Sequence, residues 1–318
     1  MTVPVTDPSP LSPARLRRAL AAGGLVPVAD GSAGGLGRAE DAAVRPARLV
    51  HDPELAWYEC GSPMVCPEDL AFLDGIQRHR VVAYDGPLPL VIGTVAAAVL
   101  RREGRTLRAA EVRVRRLAIA REGVLAAAGT ALDGFERVTL DAEEIPHAAR
   151  DLDRARAILD QHRGALEVEV GDAFRRRHRD WVVVDGSLAE SPAWAADGRM
   201  IGVAKSHATL PFDGPALRRY LSLPVGHRTS IFQPASRRVA PVWSWGLRLR
   251  AWEGRDPFHG LVRVEAAPGE ETARRATDIS RWILAERSPL STPDRRWDRQ
   301  LYGMRAVERY LESRGHTP

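Results

Sequence analysis

The sequence has almost no lysine. Of its 46 lysine and arginine residues only Lys205 is a lysine, so the other 45 are arginine. A P-loop requires a lysine directly after a glycine, whereas Lys205 follows Ala204, so the chain is not a P-loop NTPase. A Schiff-base enzyme would have to use Lys205 itself. The scarcity of lysine therefore excludes one large class of nucleotide hydrolases and leaves a single candidate for amine chemistry.

Cysteine and long apolar runs are scarce as well. Cys60 and Cys66 are the two cysteines of the chain, and their spacing fits neither a zinc ribbon nor a disulfide framework. The longest nearly apolar run, residues 87–100, is too short to span a bilayer. Residues 1–13 contain four prolines and no apolar core, so we expect no signal peptide. These features predict a cytoplasmic protein without a membrane span.

The overall composition is that of a globular protein. The 318 residues are 44% hydrophobic and 27% charged, which suits one large domain or two ordinary ones. A net charge of +5 and a pI near 9.7 permit a polyanionic partner such as DNA. A GC-rich coding sequence would also enrich arginine, and 41 acidic residues offset most of the positive charge. Charge alone therefore leaves nucleic-acid binding open.

The pattern along the chain predicts an irregular N-terminal extension over residues 1–65, with a short helix over 15–22, and one domain over residues 66–318. Apolar and β-branched runs in that domain predict short strands over 71–76, 80–84, 88–100, 135–140, 181–185, 199–204, 239–249 and 261–265. Residues 111–120 fit a strand or a helix. Helical periodicity indicates a long helix over 148–177 and further helices over 270–286 and 301–313. Residues 239–249 alternate in polarity, as in a half-buried strand.

Two aspartates stand at the predicted ends of apolar strands. Asp74 ends the run Phe72-Leu-Asp-Gly, and Asp185 ends the run Val182-Val-Val-Asp-Gly. A carboxylate at the end of a buried strand is costly unless a cation compensates it. If the two strands are neighbours, the two carboxylates repel each other unless a divalent cation lies between them. For either Asp-Gly alone, a simple turn is the more common explanation.

The order of the elements carries a resemblance that no single motif does. A first strand with an Asp, two more strands, a long helix with a Glu, a later strand with an Asp and a final acidic helix form the ribonuclease H-like order. From about Phe72 to the C-terminus, the chain resembles the NurA nucleases, the DNA-end-processing partners of the HerA translocase. The resemblance rests on Phe72-Leu-Asp-Gly, on the segments 182–188 and 201–207, and on Leu301-Tyr302 with the helix that follows.

The resemblance implies an α/β fold, with a ribonuclease H-like mixed sheet flanked by helices. It also implies a metal site for Mn²⁺ or Mg²⁺. Asp74 and Asp185 match the two strand aspartates of the family. Glu167 is our choice for the helix glutamate, and Glu169 borders the apolar stripe at a similar angle. The archaeal members carry a histidine on the final helix, where this chain has Glu308. We expect Glu308 to be a metal ligand or a structural partner of a nearby arginine.

The resemblance also implies a function and partners. We expect a metal-dependent deoxyribonuclease that works as a homodimer with a HerA-type hexameric ATPase translocase. Lys205 and His207 follow the strand that bears Asp185 and are candidates for binding the DNA phosphates, although an exposed strand end is the simpler explanation for His207. Trp243 and Trp245 could stack on bases, although core packing explains them as well. A non-catalytic protein that binds nucleic acid or HerA on the same fold, and an unrelated α/β protein, remain alternatives.

Overall fold

The structure, a computed structural model, describes residues 43–140, 147–207, 209–235, 240–288 and 297–313. The strands in these ranges are β1 (Ala43–Val44), β2 (Arg48–Leu49), β3 (Trp57–Glu59), β4 (Leu70–Asp85), β5 (Leu88–Glu103), β6 (Thr106–Ala120), β7 (Glu136–Thr139), β8 (Trp181–Asp185), β9 (Met200–Ala204), β10 (Thr209–Leu210), β11 (His227–Thr229), β12 (Phe232–Gln233), β13 (Trp243–Arg248) and β14 (Leu261–Ala266). The α-helices are α1 (Glu122–Ala128), α2 (Ala148–Arg175), α3 (Pro192–Ala196), α4 (Gly214–Leu221), α5 (Glu270–Ala285) and α6 (Tyr302–Ser313).

One large mixed sheet organises the molecule. Its strand order is β2-β12-β13-β14-β9-β8-β4-β5-β6-β7, and β11 and β3 branch from β13. The strands β4, β5 and β6 form an antiparallel meander, β8 is parallel to β4, and β9 is parallel to β8. The segment β6-β5-β4-β8-β9 has the ribonuclease H-like order, with α2 as the connection between the meander and β8. The predicted mixed α/β fold is therefore confirmed.

The two faces of the central sheet are covered by different helices. Because successive strand residues point to opposite faces, Ala71 and Leu73 of β4 pack in one core, which includes the apolar side of α2. We call this side the α2 face. Phe72 points to the opposite side, into a second core that includes α5 and α6, and we call that side the α6 face. The Phe72 ring occupies the space where a side chain at Gly303 would lie, so α6 approaches the sheet closely.

The first strand of the domain is longer than its sequence pattern predicts. The runs 71–76 and 80–84 belong to one strand, β4, because β5 pairs with it along almost its whole length. Asp74 and Gly75 therefore lie within a strand, opposite Ala98 and Ala97 of β5, and the expected turn at Asp74-Gly75 is wrong. Residues 111–120, for which strand and helix were both open, are part of strand β6.

Strand β13 is buried on both faces, so its prediction as a half-buried strand is wrong. Trp245 and Leu247 face one core, but the alternate residues Ser244 and Arg248 are also fully buried. The Arg248 guanidinium donates hydrogen bonds to the carbonyls of Leu221, Leu223, Pro257 and His259, which offset part of the cost of its burial. The predicted strand over 261–265 is confirmed as part of β14, which is the antiparallel neighbour of β13.

The described part of the N-terminal region contributes strands to the main sheet. Strand β2 pairs with β12, and β3 pairs with β11, although both precede residue 65. The predicted helix over 15–22 lies outside the described residues, and the domain boundary at residue 65 stays a prediction. Within the described ranges, no helix combines the length and the apolar character needed to cross a membrane.

Candidate metal centre

Three carboxylates from three elements converge on the α6 face. The parallel pairing of β4 with β8 ends at Leu73 and Val184, so Asp74 and Asp185 leave the two strands side by side. Both point to the α6 face because each stands two residues after a residue of that core. Glu308 of α6 completes the group, and one carboxylate oxygen from each residue lies within 4.8 Å of the others. We call Asp74, Asp185 and Glu308 the carboxylate cluster.

Asp74 is the least compensated member of the carboxylate cluster. Its side chain is buried, and Oδ1 accepts a hydrogen bond from the Gly75 amide at 2.7 Å. Oδ2 is also buried, yet it has no hydrogen-bond partner within the described ranges. Burial, followed by the negative charge of Asp185, holds the pKa of the Asp74 carboxyl well above its usual range. An unpaired buried oxygen beside two further carboxylates is a donor set that fits a hard divalent cation such as Mn²⁺ or Mg²⁺.

Asp185 is paired with the single lysine of the chain. Lys205 lies just beyond β9, the neighbour of β8, and its Nζ is 2.6 Å from Asp185 Oδ2. Both side chains are largely buried, so the ion pair is shielded from solvent. The main-chain carbonyl of Lys205 accepts a hydrogen bond from Arg299 at 3.2 Å, which ties this loop to the segment before α6. Lys205 thus places its ammonium group at the edge of the carboxylate cluster.

Glu308 forms the predicted pair with a nearby arginine, and its role as a metal ligand stays a prediction. Its Oε2 atom is 2.8 Å from the Arg305 guanidinium, one turn earlier on α6. The same oxygen accepts a hydrogen bond from Gln300 Nε2 at 3.2 Å. Glu308 nevertheless belongs to the carboxylate cluster. The arginine holds the glutamate in place and does not withdraw it from the two aspartates.

Glu167 approaches Asp74 from the opposite side of the sheet. It lies on α2, so it reaches the sheet on the α2 face, where its carboxylate fills the space beside Gly75 that a Cβ atom would occupy. Arg163, one turn earlier, forms an ion pair with it. Burial raises the pKa of Glu167 to about 7, against the opposing charge of Arg163. The group of converging oxygens in the described structure does not include Glu167, so its role as a ligand stays a prediction.

Glu169 faces away from this region. Its carboxylate lies 3.1 Å from Arg113 and 2.6 Å from Arg115, both on β6. The side chain is partly exposed on the surface of the sheet. Of the two helix glutamates that the sequence left open, Glu167 is the one that lies beside β4 at Gly75, next to Asp74.

A cleft opens beside Glu167 and Asp185. It has a volume of about 440 Å³, and its wall includes Arg163, Gly186 and Ser187. The positive Arg163 and the negative Glu167 and Asp185 therefore line the same space.

The remaining candidates from the sequence, His207, Trp243 and Trp245, each contact other residues of the fold. The His207 ring lies 3.0 Å from the carbonyl of Leu261 and stacks on Phe258, and burial lowers its pKa to about 4. It is not an exposed strand end, and its role in substrate binding stays a prediction. Trp245 is fully buried and donates a hydrogen bond to Ser280, so it serves the core. Trp243 is half-buried and contacts His51 edge to face.

Two residues of the site were not identified from the sequence. In the sequence, Gly75 has the pattern of a turn residue, but in the fold it leaves room for the Glu167 carboxylate. A glycine inside a strand is a known sign of such a close approach. Arg163 stands four residues before Glu167, the spacing of ion pairs on a helix surface. Both signals are present in the sequence, but neither is specific without the packing of α2 against β4.

Comparison with known proteins finds distant similarities of fold. No family model and no curated protein sequence matches the chain. Among solved structures, the chain is similar to the NurA nuclease from Sulfolobus solfataricus, with a TM-score of 0.43 and 11% identity over 82% of this chain and 87% of that one. It is also similar to the catalytic domain of human Endonuclease V, with a TM-score of 0.28 and 13% identity over 96% of each chain. At these values neither similarity assigns an activity.

Proposed function

We propose that the protein is a metal-dependent nuclease that hydrolyses DNA. The observation that carries the proposal is the buried, unpartnered Oδ2 atom of Asp74 in a group of three converging carboxylates. Such an arrangement repels itself in the absence of a cation and is stabilised by one. The ribonuclease H-like strand order and an excess of arginine over acidic residues are compatible with a phosphodiester substrate.

Asp74, Asp185 and Glu308 would hold the metal ions, with Glu167 as a further candidate from the α2 face. Bound Mn²⁺ or Mg²⁺ supplies Lewis acidity and positive charge at a scissile phosphate. Lys205 keeps a compact ammonium group beside Asp185, where it can contact a phosphate oxygen. Glu167 has a pKa of about 7, so it can hold or release a proton near neutral pH.

A non-catalytic binding protein on the same fold is the second candidate. The favouring observation is that three of the four acidic residues already have cationic partners: Lys205 for Asp185, Arg305 for Glu308 and Arg163 for Glu167. Internal pairs of this kind stabilise a carboxylate cluster without any metal. Such a protein would bind nucleic acid and leave it uncut.

The substitution Asp185→Asn separates the two candidates. If the protein is a nuclease, Asp185→Asn should abolish Mn²⁺-dependent cleavage of single- and double-stranded DNA, because the amide loses the charge that a divalent ion requires. Cleavage is followed on labelled DNA, and circular dichroism verifies the fold. Asp278→Asn, a change on the exposed side of α5, is the matched control and should cut normally. Full activity of Asp185→Asn would remove Asp185 from the mechanism, and a wild-type protein that binds DNA without cutting it would favour the second candidate.

We further propose that the protein acts as a homodimer on a HerA-type hexameric ATPase translocase, which rests on the resemblance of its sequence to the NurA nucleases. Sizing chromatography of the purified protein, alone and with a HerA homologue from the same source, tests both parts. We expect a dimer alone and a larger, stable complex in the mixture. A monomer that cuts DNA and ignores the translocase would indicate a free-standing nuclease.

A further inference from the structure

A second carboxylate, Glu265, is buried next to the loop that follows Asp185. Glu265 lies on β14, separated from β8 by the intervening strand β9, and it is 1% exposed. Its Oε2 atom accepts hydrogen bonds from Ser187 Oγ at 2.8 Å and from the Leu188 amide at 3.0 Å. Its Oε1 atom accepts from Arg263 Nε at 3.1 Å and lies 2.9 Å from Arg263 Nη2. Both oxygens of the Glu265 carboxylate are therefore engaged, Oε2 by the loop and Oε1 by Arg263.

A glycine on the strand between them makes this contact possible. Gly202 of β9 pairs with Glu265 on one side and with Val184 on the other. A Cβ atom at Gly202 would lie 2.9 Å from the Gly186 carbonyl oxygen and 3.2 Å from the Leu188 amide nitrogen. The missing side chain lets the loop lie flat across β9, within reach of Glu265.

The loop needs such support because it starts with an unusual backbone conformation. Gly186 has a φ of +132°, a region that residues with side chains rarely adopt. Beyond Asp185, the ladder between β8 and β9 ends with one hydrogen bond from the Gly186 amide to the Val203 carbonyl, at 3.1 Å. The next anchors of the chain are the two hydrogen bonds to Glu265.

We propose that Glu265 is a positioning residue for the metal centre: together with Gly202, it fixes the 186–188 loop and thereby holds the Asp185 carboxylate beside Asp74. This inference rests on the proposed function, because it assigns Glu265 a role in metal binding through Asp185. A buried carboxylate is a poor source of net stability, since desolvation offsets much of its attraction to Arg263. The cost of burying Glu265 is explained if the residue fixes a metal ligand, because residues that hydrogen-bond around metal ligands commonly hold those ligands in orientation.

The test is Mn²⁺ binding by the metal-free protein, followed by the electron paramagnetic resonance signal of free Mn²⁺. Glu265→Gln places an amide NH₂ or a weaker acceptor against Arg263, and we expect the Kd for Mn²⁺ to rise at least about tenfold. Gly202→Ala leaves every charged group in place but displaces the loop, so it should raise the Kd as well. In both variants the Leu188 amide should exchange its hydrogen faster in the absence of metal.

Two matched controls separate positioning from general stability. Asp151→Asn breaks another buried carboxylate–arginine pair, and Gly123→Ala adds a methyl group to a glycine with open space around it. Both should bind Mn²⁺ with the wild-type Kd, even where Asp151→Asn lowers the melting temperature. If Glu265→Gln does not fold, Gly202→Ala and Ser187→Ala provide the same measurement.

The outcomes distinguish this inference from the proposed function. A wild-type Kd in folded Glu265→Gln or Gly202→Ala would overturn the positioning role and leave the metal site intact. Wild-type protein that binds Mn²⁺ but cuts no DNA would overturn the nuclease and leave the positioning role standing. Wild-type protein that binds no Mn²⁺ would overturn both.

Discussion

Asp74 and Asp151 are two buried aspartates with opposite surroundings. Asp151, in the first turn of α2, is 1% exposed, and its two oxygens accept hydrogen bonds from Arg121 at 2.8 Å and 2.9 Å. Its position near a helix N-terminus is also favourable for a negative charge. Asp74 is 5% exposed, and one of its oxygens has no partner in the described ranges. The charges that act on Asp74 are those of three other carboxylates, Asp185, Glu167 and Glu308, and the opposing charge of Lys205.

The difference shows which carboxylate serves the fold and which one costs it stability. This chain contains 45 arginines, and several of its buried acidic residues, such as Glu286 with Arg102, are paired with one. An unpaired oxygen at Asp74 is therefore not explained by a shortage of cations. Local arrangements that reduce stability are concentrated at functional sites. Asp74 is where we expect the protein to gain from a bound cation.

The largest expected effect comes from exchanging each aspartate for asparagine. Asp74→Asn should abolish Mn²⁺ binding, and it should raise the melting temperature of the metal-free protein because a disfavoured buried charge is removed. Asp151→Asn should lower the free energy of unfolding by about 3 kcal/mol, because it removes the buried negative charge that accepts two hydrogen bonds from the Arg121 guanidinium. Calorimetry in EDTA measures both effects. A lower melting temperature for Asp74→Asn would show that Asp74 stabilises the fold as Asp151 does.

The elements of the fold that depend on local pattern could be predicted from the sequence. The long helix α2 follows from its helical periodicity, and β8 follows from the β-branched run that ends at Asp185. These two predictions needed only spacing and the chemistry of individual residues. The approach of Asp74 to Asp185 was conditional on their strands being neighbours, which the ribonuclease H-like order implied and the parallel pairing of β4 with β8 provides.

The features that depend on packing between distant elements could not be predicted. A continuous β4 requires the pairing with β5, which overrides the turn preference of Asp74-Gly75. The face on which Glu167 lies is decided by the side of the sheet that α2 covers. The contact of Glu265 with the 186–188 loop spans a strand and 77 or 78 residues of chain, so no local signal marks it.

A smaller effect is expected at Glu308, the member of the carboxylate cluster that already pairs with an arginine, Arg305. Glu308→Gln should raise the Mn²⁺ concentration for half-maximal cleavage at least about tenfold, because the amide keeps an oxygen but loses the charge. Glu308→His should restore part of the affinity, since imidazole also binds Mn²⁺. If Glu308 only pairs with Arg305, both variants will lose a little stability and give the wild-type metal titration.

The smallest effect in the comparison is expected for the helix glutamates. Glu167→Gln should weaken Mn²⁺ binding less than Glu308→Gln does, because Glu167 lies on the α2 face and outside the carboxylate cluster.

The folded pKa of Glu167, about 7, exceeds the ordinary value of 4.5, so its contribution to the stability of metal-free protein is largest below pH 4.5 and is lost as the pH rises through 7. Glu167→Gln should therefore reduce that loss of stability, measured by urea unfolding in EDTA. Glu169→Gln, which gives up partly exposed pairs with Arg113 and Arg115, should change the free energy of unfolding by about 0.5 kcal/mol or less and leave Mn²⁺ binding unchanged. If Glu167→Gln weakens Mn²⁺ binding as strongly as Asp74→Asn does, Glu167 is a full ligand, and the metal centre extends through the gap at Gly75 to both faces of the sheet.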